Sequence, residues 1–336
     1  MQQVVYVASP GSQQIHVFAL ADTGEMQLLQ LVSTPGQVQP LVISPDRRWL
    51  YAAVRPDFAV ISYRIGLDGR LSEQGSAPLA GSASHTAIDA SGRFLLAASY
   101  AFNHVTVSPI GSGGRVEAPH QQLDGLQAAH SATLLGADEQ GEQEVLVACL
   151  TEDVIRRFTL NDKGRLAPHP LGDLHTVSGA GPRHLTLHPV NGDIYCLNEL
   201  DCTINRYHRQ ADGHIHLQQS LGMLPAGYQG ERWGADLHVT PDGHFLYSCE
   251  RASSLLTLFA IAAQDGSLTL RSHFPTETMP RGFAIDHCGR YLLAAGQASH
   301  QLAVHRIDPG SGELTLLARH PVGDGAMWVR VLALCE

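Results

Sequence analysis

The chain has 336 residues, a net charge of −10 and only 16% charged side chains. That balance disfavours nucleic acid and anionic membrane as partners, and no apolar run approaches the length of a membrane span. The six cysteines form neither a CxxC pair nor a dense framework, which points to free thiols in a reducing cytoplasm.

In chain order, the N-terminus opens directly on three alternating apolar stretches, Val4 to Ala8, Ile15 to Leu20 and Glu25 to Leu31, each predicted to be a strand. The first of them leaves no room for a basic region, an apolar stretch and a cleavage site, so no secretion signal is expected and a cytoplasmic location is. The next unit reads Val38 to Ser44, Trp49 to Val54, Phe58 to Ile65 and Leu71 to Ala77, with the Asp68-Gly69 hairpin before the last strand. The turn glycine recurs as Gly24, Gly69, Gly114, Gly164, Gly213, Gly266 and Gly312, at spacings of 45, 45, 50, 49, 53 and 46 residues. A second marker runs in phase with it: Tyr6, Tyr51, Leu96, Leu146, Tyr195, Tyr247 and Leu293. Forty-odd residues carrying four short antiparallel strands are the signature of a propeller blade. The stretch Met327 to Leu334 is a lone apolar strand with no partner after it. The predicted fold is therefore an all-β, seven-bladed β-propeller, one domain over residues 1–336, with one blade closed by both termini so that no radial edge stays open. A closed ring needs no partner to cover edges, so a monomer is expected.

Counting back from the second marker finds the entry of each innermost strand. One column reads Pro40, His85, His130, His184, Asp236, Gly282 and Met327; its neighbour reads Gln39, Ser84, Ala129, Arg183, Ala235, Arg281 and Ala326. A purely structural position would repeat one small or apolar residue, whereas these vary and many are polar. Beyond the marker come Arg55, Tyr100, Asn198, Glu199, Glu250, Arg251 and Gln297. Strand ends converging on the axis make one concave site with many side-chain types. Arg183 follows Gly179-Ala180-Gly181-Pro182, where glycine and proline fix the backbone. It reads as a substrate residue, with a blade-to-blade ion pair or a buried pair with Glu199 as the structural alternative. Asp236 reads equally as a site residue or a loop holder. The pairs Arg156-Arg157 and His214/His216 read as solvated surface. Three imidazoles, His85, His130 and His184, are in principle able to hold Zn²⁺, but on separate blades they are expected to stand well apart round a wide channel. With no HExxH or EF-hand motif either, neither metal nor other cofactor is expected.

The segments Gln37-Val38-Gln39-Pro40, Ala129-His130-Ser131-Ala132, Gly179-Ala180-Gly181-Pro182-Arg183-His184, Asn198-Glu199-Leu200, Arg232-Trp233-Gly234-Ala235-Asp236 and Pro280-Arg281-Gly282-Phe283 closely resemble the seven-bladed propeller lactonase family. The resemblance covers essentially the whole chain. It implies metal-independent hydrolysis of a phosphorylated sugar lactone, 6-phospho-D-glucono-1,5-lactone, in the pentose phosphate pathway. His130, Arg183 and Glu199 would be catalytic. Arg281, Arg251 and Arg55, in that order, would be candidates for the phosphate, with His85, His184 and Asp236 lining the substrate. His130 or Glu199 would be the general base. A muconate-type lactonizing enzyme and a non-catalytic interaction propeller are the alternatives. One departure is the stretch from Gly136 to Glu144, which replaces a short turn and is expected to bear on stability rather than chemistry.

Overall fold

The computed structural model describes residues 2–137 and 141–334; Cys335 and part of the lengthened turn, Asp138 to Gln140, lie outside them. Seven antiparallel sheets stand round a common axis, and their innermost strands neighbour one another in a closed circle. The first blade is stitched from both ends: Trp328–Ala333 pairs antiparallel with Gln3–Ser9, with Ala8 opposite Trp328. The second blade runs Gln37–Ile43, Trp49–Arg55, Ala59–Ile65 and Leu71–Pro78, within two residues of the strand limits expected from alternation. The fourth departs from the plan. Its outer edge is two short pieces, Leu166–Pro168 and Leu174–His175, both paired with Val154–Leu160. Pro168 and Pro170 have no N–H to give a continuous ladder.

All seven marker glycines adopt positive φ, from 70° at Gly164 to 87° at Gly24. There a side chain would be strained, and the turn is packed as well: a Cβ on Gly114 would lie 2.0 Å from the Trp49 ring. The marker tyrosines explain why the two periodicities share one register. Tyr6, Tyr51, Tyr195 and Tyr247 each donate a hydroxyl hydrogen bond to the carbonyl of the next blade's turn glycine, Gly69, Gly114, Gly266 and Gly312, at 2.6–2.8 Å. Where the marker is leucine another side chain takes the role. His120 Nε2 lies 2.8 Å from Gly164 O, Arg157 Nη2 donates to Gly213 O at 2.9 Å, and the Tyr291 hydroxyl donates to Asp22 O at 2.8 Å, closing the ring onto the first blade. Every blade junction thus carries one polar latch over its own apolar cluster. Burial of those clusters supplies the area-proportional stabilisation, and the latches fix which blade meets which.

Arg157 corrects the expectation of a solvated pair. It is buried, and its Nε donates to Glu144 at 2.6 Å. The tip of the lengthened turn lies outside the described residues, but its last residue, Glu144, anchors this latch.

Candidate active site

The innermost strands are not regular at their entries. The pairing slips between Ala129 and Ser131, between Pro182 and His184, between Gly234 and Asp236, between Pro280 and Gly282, and between Val38 and Leu41. A β-bulge leaves an unpaired residue and re-aims its side chain. The bulged residues include His130, Arg183 and Arg281, so three of the candidate site residues owe their orientation to one kind of backbone device. His130 therefore belongs with Arg183 and Arg281, and Ser131, opposite Ala148, takes the register place that the sequence columns gave to His130. The columns also put Met327 in the ring. The register puts Trp328 there, opposite Ala8 in the place that His184 holds opposite Leu197.

Three levels follow along the axis. At one mouth lies the bulge level. Beneath it Trp328, His85, His184 and Asp236 form a floor. The expectation of histidines far apart is overturned: ring centroids are 5.5 Å apart for His85 and His184, 5.1 Å for His130 and His184, and 5.7 Å for His85 and Trp328. Inward-pointing side chains fill the axis, as in a small closed barrel. Asp236 is bound on both oxygens, by His184 Nδ1 at 2.8 Å and His238 Nε2 at 3.1 Å. Burial opposes its charge, but the two imidazoles outweigh burial and hold its carboxyl well below the usual range. Burial, then Arg183, lowers His184 to about 4. Among the described residues no group of three His, Cys, Asp or Glu converges as metal ligands would.

At the bulge level Glu199 is the hub. Its Oε2 accepts from Arg183 Nε at 2.8 Å and is ion-paired with Arg251 Nη2 at 2.9 Å, and its Oε1 accepts from Trp233 Nε1 at 3.2 Å. Arg183 is only 1% exposed. It reaches into the next blade to donate to Ala235 O, so of the structural alternatives the buried pair with Glu199 forms, and the contact between blades is a hydrogen bond to a carbonyl. Arg251, 3% exposed, stacks on the Trp233 ring at 3.8 Å and donates to the carbonyls of Trp233 and Gly234. Its Nε and Nη2 are engaged by these carbonyls and by Glu199, while Nη1 has no hydrogen-bond partner among the described residues. Arg281 has no hydrogen-bond or ion-pair partner among the described residues, and burial together with Arg183 lowers it to about 10. Arg55 stands exposed at the rim against Gln37 and Gln39. His130 is buried, its Nδ1 has no partner, and the exposed Tyr100 ring lies 5.8 Å from it. Burial first, then Arg183 and His184, put its pKa well below the ordinary histidine value, so the imidazole is neutral near pH 7.

The sequence reading misses one supporting residue, Asp153, and the roles of two that it names, Glu250 and Trp233. Asp153, in the left-handed region at φ 55°, accepts from the amides of Gly179 and Gly181 at 2.7 and 2.8 Å and so shapes the turn into Arg183. Glu250 accepts the Trp233 amide at 2.5 Å and holds that ring under Arg251. Trp233 lies inside a quoted motif, but nothing in the sequence tells that its indole reaches Glu199. A cavity of about 820 Å³ sits at the outer turns of the first and last blades near Gly24, remote from this chemistry.

A propeller whose axis carries a neutral imidazole beside three guanidiniums and one shared carboxylate is of the class that works on an electrophilic carbonyl and an anionic group. Residues 4–331 match the family model for the seven-bladed β-propeller lactonase, and the chain belongs to that family. It is 50% identical over 334 residues to a 6-phosphogluconolactonase of Serratia proteamaculans, covering 99% of this chain and 100% of that protein. It is 49% identical to one of Yersinia pestis, covering 98% of each. The fold is similar to that of the periplasmic gluconolactonase PpgL of Pseudomonas aeruginosa (TM-score 0.89, 24% identity, all of both chains) and of a protein from Lactobacillus plantarum (TM-score 0.88, 22% identity, 99% and 100% covered).

Proposed function

We propose that this chain hydrolyses 6-phospho-D-glucono-1,5-lactone to 6-phosphogluconate, with His130 as general base and the bulge level as the reaction mouth. The observation that carries the reading is the contrast between His130 and Glu199. Glu199 already accepts two hydrogen bonds and an ion pair, whereas His130 is neutral and its Nε2, unlike the enclosed Nδ1, is not sealed from solvent and has no protein partner among the described residues. The names of the relatives that match nearly the whole chain support the substrate.

In this mechanism water gives a proton to His130 as its oxygen adds to the lactone carbonyl carbon. The oxyanion develops in the field of Arg183 and Arg251, whose positions Glu199 fixes in advance. Collapse breaks the bond to the ring oxygen, which takes the proton back from the His130 imidazolium. Proton transfer and oxyanion stabilisation each contribute on the order of 10²-fold or more. Arg281, a guanidinium with no partner among the described residues, binds the 6-phosphate as a bidentate fork with Arg55 at the rim. No metal or cofactor enters any step. The ring acts as one domain and a monomer in the cytoplasm, where the five cysteines of the described residues are free thiols.

The test is hydrolysis of freshly generated 6-phosphoglucono-1,5-lactone by wild type and His130→Gln, with and without EDTA. Chelator-resistant turnover that collapses in His130→Gln supports the assignment. Turnover no faster than the spontaneous rate in the wild type rejects the substrate, and full activity in His130→Gln rejects the base.

A further inference from the structure

Below the floor lies a third level that the lactonase chemistry does not use. It consists of the inner-strand residues paired with the second sequence marker. Arg330 pairs with Tyr6, Thr133 with Leu146, Thr186 with Tyr195 and His238 with Tyr247. The other three positions, Val42, Ala87 and Ala284, are small or apolar. All seven line a cavity of about 590 Å³ that opens at the mouth opposite the bulge level and has His85, His184, Asp236 and Trp328 at its base.

The polar groups of this level are donors in search of an acceptor. Arg330 has no carboxylate within 4.0 Å among the described residues. It donates only to its neighbour's carbonyl, Val329 O at 3.1 Å, and otherwise stacks 5.1 Å from the Trp328 ring centroid. The hydroxyls of Thr133 and Thr186 have no protein partner among the described residues. His238 uses Nε2 on Asp236 and leaves Nδ1 open. Two carboxylates line the cavity, and both are already bound: Asp236 by His184, His238 and the Leu237 amide, and Asp286 by Gln3 Nε2 and the amides of Cys288, Arg290 and Tyr291. Beneath the level, His85 Nδ1 is buried without a partner. The half-buried donors of the third level open onto one cavity, and a guanidinium sharing it with two hydroxyls and an imidazole matches an oxyanion. The cavity is large enough for a small organic ligand.

We infer that the second mouth is a separate binding site for a compact oxyanion, a phosphate or a carboxylate, centred on Arg330 with Thr133, Thr186 and His238 as its other donors. It is distinct from the phosphate position at Arg281, because the floor of Trp328, His85 and His184 lies between the two levels.

Calorimetric titration of the full chain with inorganic phosphate and, separately, with gluconate tests this in wild type, Arg330→Gln, Thr186→Val and Arg281→Gln. The expected result is anion binding that persists in Arg281→Gln and weakens by about tenfold or more in Arg330→Gln, the effect of one charge-assisted hydrogen-bonding group. Thr186→Val weakens it less, and decides the matter should Arg330→Gln fail to fold. Phosphate binding alone assigns a phosphate ion or ester, and gluconate binding alone a carboxylate. Loss of all anion binding in Arg281→Gln, wild-type binding in both Arg330→Gln and Thr186→Val, or binding of neither anion overturns the proposal. Lactone turnover by Arg330→Gln stays at the wild-type rate; its collapse would place the reaction at this mouth and overturn the separation of the two sites.

Discussion

Arg183 and Glu199 lie on adjoining segments of one blade with Nε and Oε2 2.8 Å apart, and the same oxygen holds Arg251 at 2.9 Å. One carboxylate therefore neutralises two guanidiniums that are 1% and 3% exposed. Removing it leaves both cations uncompensated, which for a broken buried pair costs on the order of 3–5 kcal/mol. Glu199→Ala is expected to lower stability by that order in urea denaturation and to abolish turnover. Arg183→Ala is expected to lose turnover with a smaller stability loss, because Arg251 remains to partner Glu199. Equal stability of Glu199→Ala and wild type would contradict the hub.

The buried imidazoles set a pH signature. His85 and His130 are held well below the ordinary histidine value and His184 near 4, in each case chiefly by burial. For a group whose folded-state pKa is depressed, the stability contribution is complete above the unfolded pKa. It is lost as pH falls from about 6.5 toward the folded value, because the unfolded chain takes up protons that the folded one does not. The melting temperature should be level from pH 8 to 7 and drop progressively below about 6.5. The activity profile should differ: a base that stays neutral keeps kcat/KM flat through pH 6.5, and the acid limb falls lower. An acid limb centred at the free histidine value would remove His130 from the role.

Blade number, closure by the terminal strands and the turn glycines are all legible in the sequence, since hydrophobic alternation and positive-φ turns are local properties repeated seven times. Arg183, Glu199 and Arg281 are legible as breaks in that repetition. Counting from a marker fails where the turn between the strands changes length, as before Glu144, so His130 falls one column out. It fails too where the inner strand comes from the other end of the chain, so Trp328 is passed over for Met327. Long-range pairing leaves no local trace either, so Arg251 reads as a free cation although Trp233 and Glu199 enclose it, and Arg157 reads as surface although it latches Gly213.

Arg281 stands without a partner among the described residues near Arg183 and the rim Arg55, an arrangement that attracts a dianion. Arg281→Ala should raise KM for 6-phosphoglucono-1,5-lactone by about tenfold or more, the size of a lost charge-assisted contact, while changing KM for unphosphorylated glucono-1,5-lactone little. Steady-state kinetics on the two lactones decides it. Equal effects on both would sink the phosphate assignment.

The latch between Tyr6 and Gly69 offers a test of how the ring is held. Gly69 sits at φ 83°, its carbonyl accepts the Tyr6 hydroxyl at 2.8 Å, and a Cβ there would lie 2.3 Å from Val4 Cγ2 in the neighbouring blade. Gly69→Ala combines left-handed strain with a clash, so a loss of about 1–3 kcal/mol is expected. Gly113→Ala, in a comparable turn, is the control: a Cβ there meets nothing within 4 Å and its φ is not positive, so stability should stay within about 0.5 kcal/mol. Tyr6→Phe removes the hydroxyl alone and leaves the buried Gly69 carbonyl unpaired, for about 1–3 kcal/mol. Urea denaturation of the three variants measures these differences. If Gly69→Ala and Gly113→Ala were indistinguishable, the turn glycines would be a mere sequence periodicity rather than the points at which each blade is fastened to the next.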